Sequence, residues 1–114
     1  MKLITKEIEK QLRSNMDIPE TDRKPYLKLF GGSSATWLIS EIESGSIEEG
    51  NAIFFGLCDL GAGYPEMGSV AMQDLASVKF PPFDLPIERD LYFTPNKTLM
   101  EYWEDSRTRG AIVA

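Results

Sequence analysis

At 114 residues, with 42% apolar and 26% charged residues, the chain has the composition of one globular domain spanning 1–114 rather than of a disordered segment. Its single cysteine, Cys58, excludes an internal disulfide, and histidine is absent. No Ser-His-Asp or Cys-His catalytic arrangement, and no structural zinc site, can therefore be assembled within it.

The formal charge of −6 is unevenly spread. Residues 29–78 hold seven carboxylates (Glu41, Glu43, Glu48, Glu49, Asp59, Glu66 and Asp74) and no Lys or Arg, while 1–28 are net +2 and 79–114 net −1. A surface that tracks phosphates needs clustered Lys and Arg, so direct nucleic-acid binding is disfavoured and would have to rest on Lys2, Lys6, Lys10 and Arg13. The opening Leu3-Ile4-Thr5-Lys6-Glu7 turns charged too early for the apolar part of a signal peptide. The longest apolar run ends at Asp59, well short of the ~20 residues that a membrane helix needs. With one cysteine and no such segment, the expectation is a cytoplasmic protein that does not enter a membrane.

Ile4, Ile8, Leu12 and Met16 recur every four residues and predict an amphipathic helix, with Thr5 as its N-cap and Glu9–Arg13 at the favourable i, i+4 spacing. Pro19 and the polar run to Pro25 end it. Tyr26–Phe30 reads as a short strand, Gly31-Gly32-Ser33-Ser34 as a turn, and Ala35–Glu43 as a second strand pairing antiparallel with the first. After an acidic loop, 44–50, the run Ala52–Cys58 predicts a central strand covered on both faces. The corner Gly61-Ala62-Gly63-Tyr64-Pro65 then leads into an antiparallel neighbour, Glu66–Ala71.

Gln73–Val78 allows one or two helical turns. Three prolines make Phe80–Pro86 irregular, and Ile87–Phe93 suits an edge segment. Thr98-Leu99-Met100-Glu101 fits a capping box opening a last helix that Arg107, Arg109 and Gly110 close, and the final residues are expected to fray. The fold class is α+β: a small, mostly antiparallel sheet with an N-terminal and a C-terminal helix packed on it.

Cys58 lies between Leu57 and Asp59, with no basic neighbour to lower its pKa, and reads as a packing residue. The glycines around it match neither a Walker loop nor G-x-G-x-x-G, and turn geometry accounts for them. Asp59 and Glu66 flank the corner and could converge as paired carboxylates, although no lysine lies between Lys28 and Lys79. In Glu88-Arg89-Asp90, Arg89 points away from its neighbours and could clamp the C-terminal segment to a sheet carboxylate such as Asp59. Asp59, Glu66 and Arg89 form the candidate ligand-binding set. No catalytic residue, metal ligand or cofactor is assigned.

Three segments in this order, Ala35-Thr36-Trp37-Leu38, Phe55–Gly68 (FGLCDLGAGYPEMG) and Leu85–Phe93 (LPIERDLYF), with the opening Leu3–Glu7, carry a resemblance over almost the whole length. The chain resembles a bacterial family of short proteins classed only as a domain of unknown function. The resemblance implies a stand-alone small domain often carried on plasmids and other mobile elements, sometimes beside DNA-processing genes, with no established activity or cofactor. One departure stands at Ala71-Met72, where the family pattern implies a Ser or Thr capping a short helix.

Two function classes stay open. The leading one is a non-enzymatic accessory protein of a mobile element that contacts a still unidentified protein partner through its acidic middle, with mimicry of DNA charge as a narrower version. The alternative is a small enzyme or ligand-binding domain built on Asp59, Glu66 and Arg89. A concave pocket holding all three would favour the second, a carboxylate-lined face the first. Homo-oligomerisation also stays open.

Overall fold

The computed structural model describes residues 3–32 and 34–114. Lys2 of the basic N-terminal set and Ser33 of the turn cluster lie outside the described residues.

The first helix, α1 (Lys6–Ser14), starts where Thr5 Oγ1 accepts the Ile8 N–H at 3.1 Å. Arg13 meets Glu9 at 3.2 Å one turn back. Ile4 and Leu12 are buried and Ile8 is half-buried, but the four-residue spacing stops short of Met16, which is 50% exposed. At Asn15 the chain tightens into a 3₁₀ turn (Asn15–Asp17), which advances each residue further round the axis and brings Asn15 inward instead. A second 3₁₀ turn, Glu20–Asp22, leads to the sheet.

The next strands are β1 (Leu27–Gly31), β2 (Ala35–Ser44), β3 (Ile53–Asp59) and β4 (Glu66–Ala71), each antiparallel to its chain neighbour. Helix α2 (Met72–Ser77) follows. Its N-cap, Ala71, contributes no side-chain cap, and the Met72 N–H is instead taken by the Ala52 carbonyl at 2.9 Å. The proline-rich stretch is more ordered than its composition suggests. Strands β5 (Lys79–Phe80) and β6 (Leu85–Pro86) form a two-residue ladder, compatible with proline because Pro86 need only accept. Strand β7 (Glu88–Arg89) then pairs with β1 at the sheet edge, giving the order β4-β3-β2-β1-β7.

Helix α3 (Leu99–Arg109) opens on the full capping box, with Thr98 accepting the Glu101 N–H and Glu101 accepting the Thr98 N–H, and closes on Gly110 in the left-handed conformation. The last residues, expected to fray, are tied back to the sheet at two points. Ile112 donates its N–H to Asp59 at 3.0 Å, and Ala114 O accepts from Lys28 Nζ at 2.8 Å.

Both faces of the sheet are covered, because strand side chains alternate. Leu27, Leu29, Trp37, Ile39 and Phe54 face the layer of α1 and α2, where Ile4, Leu12 and Leu75 meet them. Leu38 and Leu57 face Leu99 and Tyr102 of α3. The α+β architecture expected from the sequence, with helices at both ends of the chain, is the one observed, and the two terminal helices lie on opposite faces.

A β-bulge in β2 joins the first layer to the sheet. Pairing with β3 steps from Ile39–Gly56 to Glu41–Phe55, so Ser40 is an extra residue. Gly56 is required opposite it, since a Cβ there would stand 2.0 Å from the Leu38 carbonyl oxygen. The Ser40 carbonyl accepts from Asn15 Nδ2 at 2.8 Å, and the same amide donates to the Lys24 carbonyl at 2.9 Å. Asn15 and Ser40 are both fully buried.

Truncating Asn15 should leave the buried Ser40 carbonyl unpaired and remove the donor from the part-buried Lys24 carbonyl. Asn15→Ala is expected to lose about 2–4 kcal/mol in urea unfolding, and Asn15→Asp to be worse at neutral pH than at acid pH, where the carboxyl recovers a donor. The capping box carries a second expectation. The Thr98 backbone N–H, then its hydroxyl, holds the Glu101 carboxyl below its ordinary range. The folded-state pKa is therefore the lower one, so the contribution is present above the unfolded value and fades as pH falls through the folded one. Thermal scans from neutral to acid pH should show this component in the wild type and lose it in Glu101→Gln.

Candidate functional site

Asp59 ends β3, and its backbone pairs with Thr36 of β2. Only 3% exposed, its carboxylate is occupied by two backbone donors: Oδ1 accepts the Gly61 N–H at 2.8 Å and Oδ2 the Ile112 N–H at 3.0 Å. The first bond shapes the corner as a side-chain-to-backbone turn. Gly61 completes it with φ +83°, and a Cβ there would sit 2.1 Å from Ser34 Oγ. The second bond binds the segment after α3 to the sheet. Asp59 is thus a structural acceptor at a junction of three chain segments.

Glu66 and Arg89 lie elsewhere. Arg89, Leu29, Trp37, Cys58 and Glu66 stand in one cross-strand row, with Arg89 at one end on β7 and Glu66 at the other on β4. Four strand spacings separate them, about 19 Å at roughly 4.8 Å each. Asp59, one residue beyond Cys58, belongs to the opposite face. The sheet does not bring the three candidate residues together. A cavity of about 600 Å³ opens between the start of α1 and α2, lined by Leu3, Ile4, Phe54, Met72 and Leu75 together with Lys6, Glu9 and Glu48, and none of the three candidates is among its lining residues. Among the described residues no three Cys, Asp or Glu side chains gather closely enough to hold a metal ion.

The link from the C-terminal segment to the sheet, expected of Arg89, is shared by other residues. Lys28 pairs with Asp90 at 3.5 Å, while the Asp90 N–H donates to the Lys28 carbonyl at 3.0 Å. Together with the Asp59–Ile112 bond, these hold the end of the chain; Arg89, half-buried, is itself engaged by a neighbour.

Cys58 is half-buried beside Trp37. Burial pushes its thiol up, and the carboxylates of Asp59 and Glu66 add to this, against a smaller downward pull from the Trp37 hydrogen bond. This environment stabilises the thiol over the thiolate, the reverse of an activated nucleophile.

The central carboxylates divide into two groups. Asp59 is buried, and Glu41, half-buried, pairs with Arg23 at 2.5 Å. Glu43, Glu48, Glu49, Glu66 and Asp74 are exposed. Ion pairs among the described residues include Arg13–Glu9, Arg23–Glu41, Lys28–Asp90 and Arg109–Asp105, and none of these four involves those five. Glu43 accepts a hydrogen bond from Ser69 of β4, which places it beside that edge strand. Sequence reasoning found the acidic stretch but missed this division, because its only local signal is Asp59 standing at the end of an apolar run.

Asp59→Asn should cost about 1–3 kcal/mol by denaturant unfolding, since its amide nitrogen cannot accept the second N–H. Hydrogen exchange should rise at Ile112 when the bond is lost. Cys58 should alkylate more slowly than a free cysteine at neutral pH, and its rate should climb only at more alkaline pH than for a free thiol; a rate plateau at neutral pH would contradict the stated environment.

No helix among the described residues is long and apolar enough to cross a membrane. Neither the curated proteins nor the solved structures contain a match to the chain. One family model does match, over residues 3–113, nearly the whole sequence from which the resemblance was read: the chain belongs to the family described as "Protein of unknown function (DUF2958)".

Proposed function

We propose that this protein acts by contact rather than by catalysis, presenting Glu43, Glu48, Glu49, Glu66 and Asp74 to a positively charged partner protein, in the setting of a mobile genetic element. The observation that carries the reading is the split among the central carboxylates. Those with a structural role are buried or paired, while these five are exposed and outside the ion pairs found. Exposed charge of one sign gives long-range attraction and orientation toward an oppositely charged surface. The position of Glu66 and Arg89 on opposite edge strands of the sheet supports this reading over a small-molecule site shared by the two.

The test starts with the tagged protein in its native host, identification of what co-purifies, and binding measurements with the purified partner. Changing the five residues to Gln or Asn should weaken binding by about tenfold or more, with the melting temperature unchanged or raised as like-charge repulsion is relieved. Wild-type binding should weaken as salt rises. A variant that binds the partner within about twofold of wild type would show that the acidic surface serves solubility alone.

A further inference from the structure

The two edges of the sheet are finished differently. On one side β7 is only two residues long and follows Pro86, which shortens the row of free backbone groups. On the other, β4 runs for six residues in unbroken register with β3, from Ile53–Ala71 to Cys58–Glu66. It contains no proline, no lysine and no bulge, three of the devices that discourage a further strand, and its one charged residue, Glu66, stands at its first position. Glu66, Gly68 and Ser69 are exposed, and a Cβ on Gly68 would meet nothing within 4 Å. Among the described residues, the backbone bonds outside the ladders leave residues 66–71 untouched except for the Ala71–Met72 junction, where Met72 turns inward to Ala52. Half of β4's N–H and C=O groups therefore point outward along an open edge.

The charge around that edge selects an occupant. Glu66 lies in the strand on the Trp37–Cys58 face, Glu43 is bonded to Ser69, and Asp74 follows in α2. Both faces of the edge and its far end thus each carry a carboxylate. A second copy of this chain would bring like charges together, whereas an extended segment rich in Lys or Arg would be matched in backbone and in charge.

We infer that β4 is a strand-addition site, and that the partner enters as a basic, extended segment of about six residues that lengthens the sheet. This rests on the contact reading above and names both the partner's chemistry and its mode of attachment.

The probe is a synthetic eight-residue peptide of alternating threonine and lysine, measured by fluorescence anisotropy at low salt against the full chain. The control is the same peptide N-methylated along its central residues, which keeps every charge and removes the strand donors. The expected result is binding that falls about tenfold or more on methylation, with amide exchange slowed within residues 66–71. Glu43→Gln with Glu66→Gln should also weaken it at least about threefold, with an unchanged circular dichroism spectrum. Equal binding of both peptides, with no protection of β4, would overturn strand addition while leaving an acidic contact surface standing. Failure of both peptides to bind at low salt would overturn the two readings together. A β4-mediated dimer in sedimentation that the lysine peptide fails to dissociate would make a second copy the occupant and overturn the basic segment.

Discussion

One buried amide joins the first helical layer to the sheet. Asn15 Nδ2 reaches the carbonyls of Lys24 and Ser40 from the turn that ends α1. The bulge at Ser40 requires this, because the extra residue has left the ladder and its carbonyl is sealed from water. In return the bulge restores the side-chain phase of β2, so that Ile39 and Ile42 both face the core beneath α1. The fit is incomplete. Asn15 Oδ1 and Ser40 Oγ are buried with no hydrogen-bond partner among the described residues, so part of the polar desolvation cost is retained in the fold.

The same economy governs the carboxylates. Asp59 is consumed by two backbone donors, and Glu41 by the Arg23 guanidinium, which also donates to the Ile18 carbonyl at 2.7 Å. The Arg23 backbone carbonyl accepts the Leu99 N–H at 2.8 Å, so the segment before β1 positions the start of α3. Buried charge is thus matched by donors, as it must be in a low-dielectric interior. The exposed acids around β4 face water, with Glu43 also accepting from the Ser69 hydroxyl, and the functional reading rests on them and not on the buried Asp59.

What could be read in the sequence was local. Thr5, the Thr98–Glu101 pair and Gly110 announce helix ends because each cap is settled within a few residues, and the apolar runs of β2 and β3 are visible because both faces of these strands are covered. What escaped was long-range. Asn15 meets a partner 25 residues away and Asp59 one 53 residues away, and nothing at either position advertises the pairing. Met16 lies outside because the 3.6-residue repeat of α1 does not continue across the 3₁₀ turn. The spread of Asp59, Glu66 and Arg89 follows from strand order, since β7 returns to pair with β1 and not with the corner.

The placement of the two tryptophans has a practical consequence. Trp37 is buried against the Cys58 sulfur in the layer under α1, while Trp103 belongs to α3 with the Arg107 guanidinium 5.1 Å from its ring centre. Each side of the sheet therefore carries its own optical reporter in a chemically distinct setting, one beside a quenching sulfur and one beneath a cation. With one indole replaced by phenylalanine at a time, intrinsic emission can follow the loosening of either layer without a label.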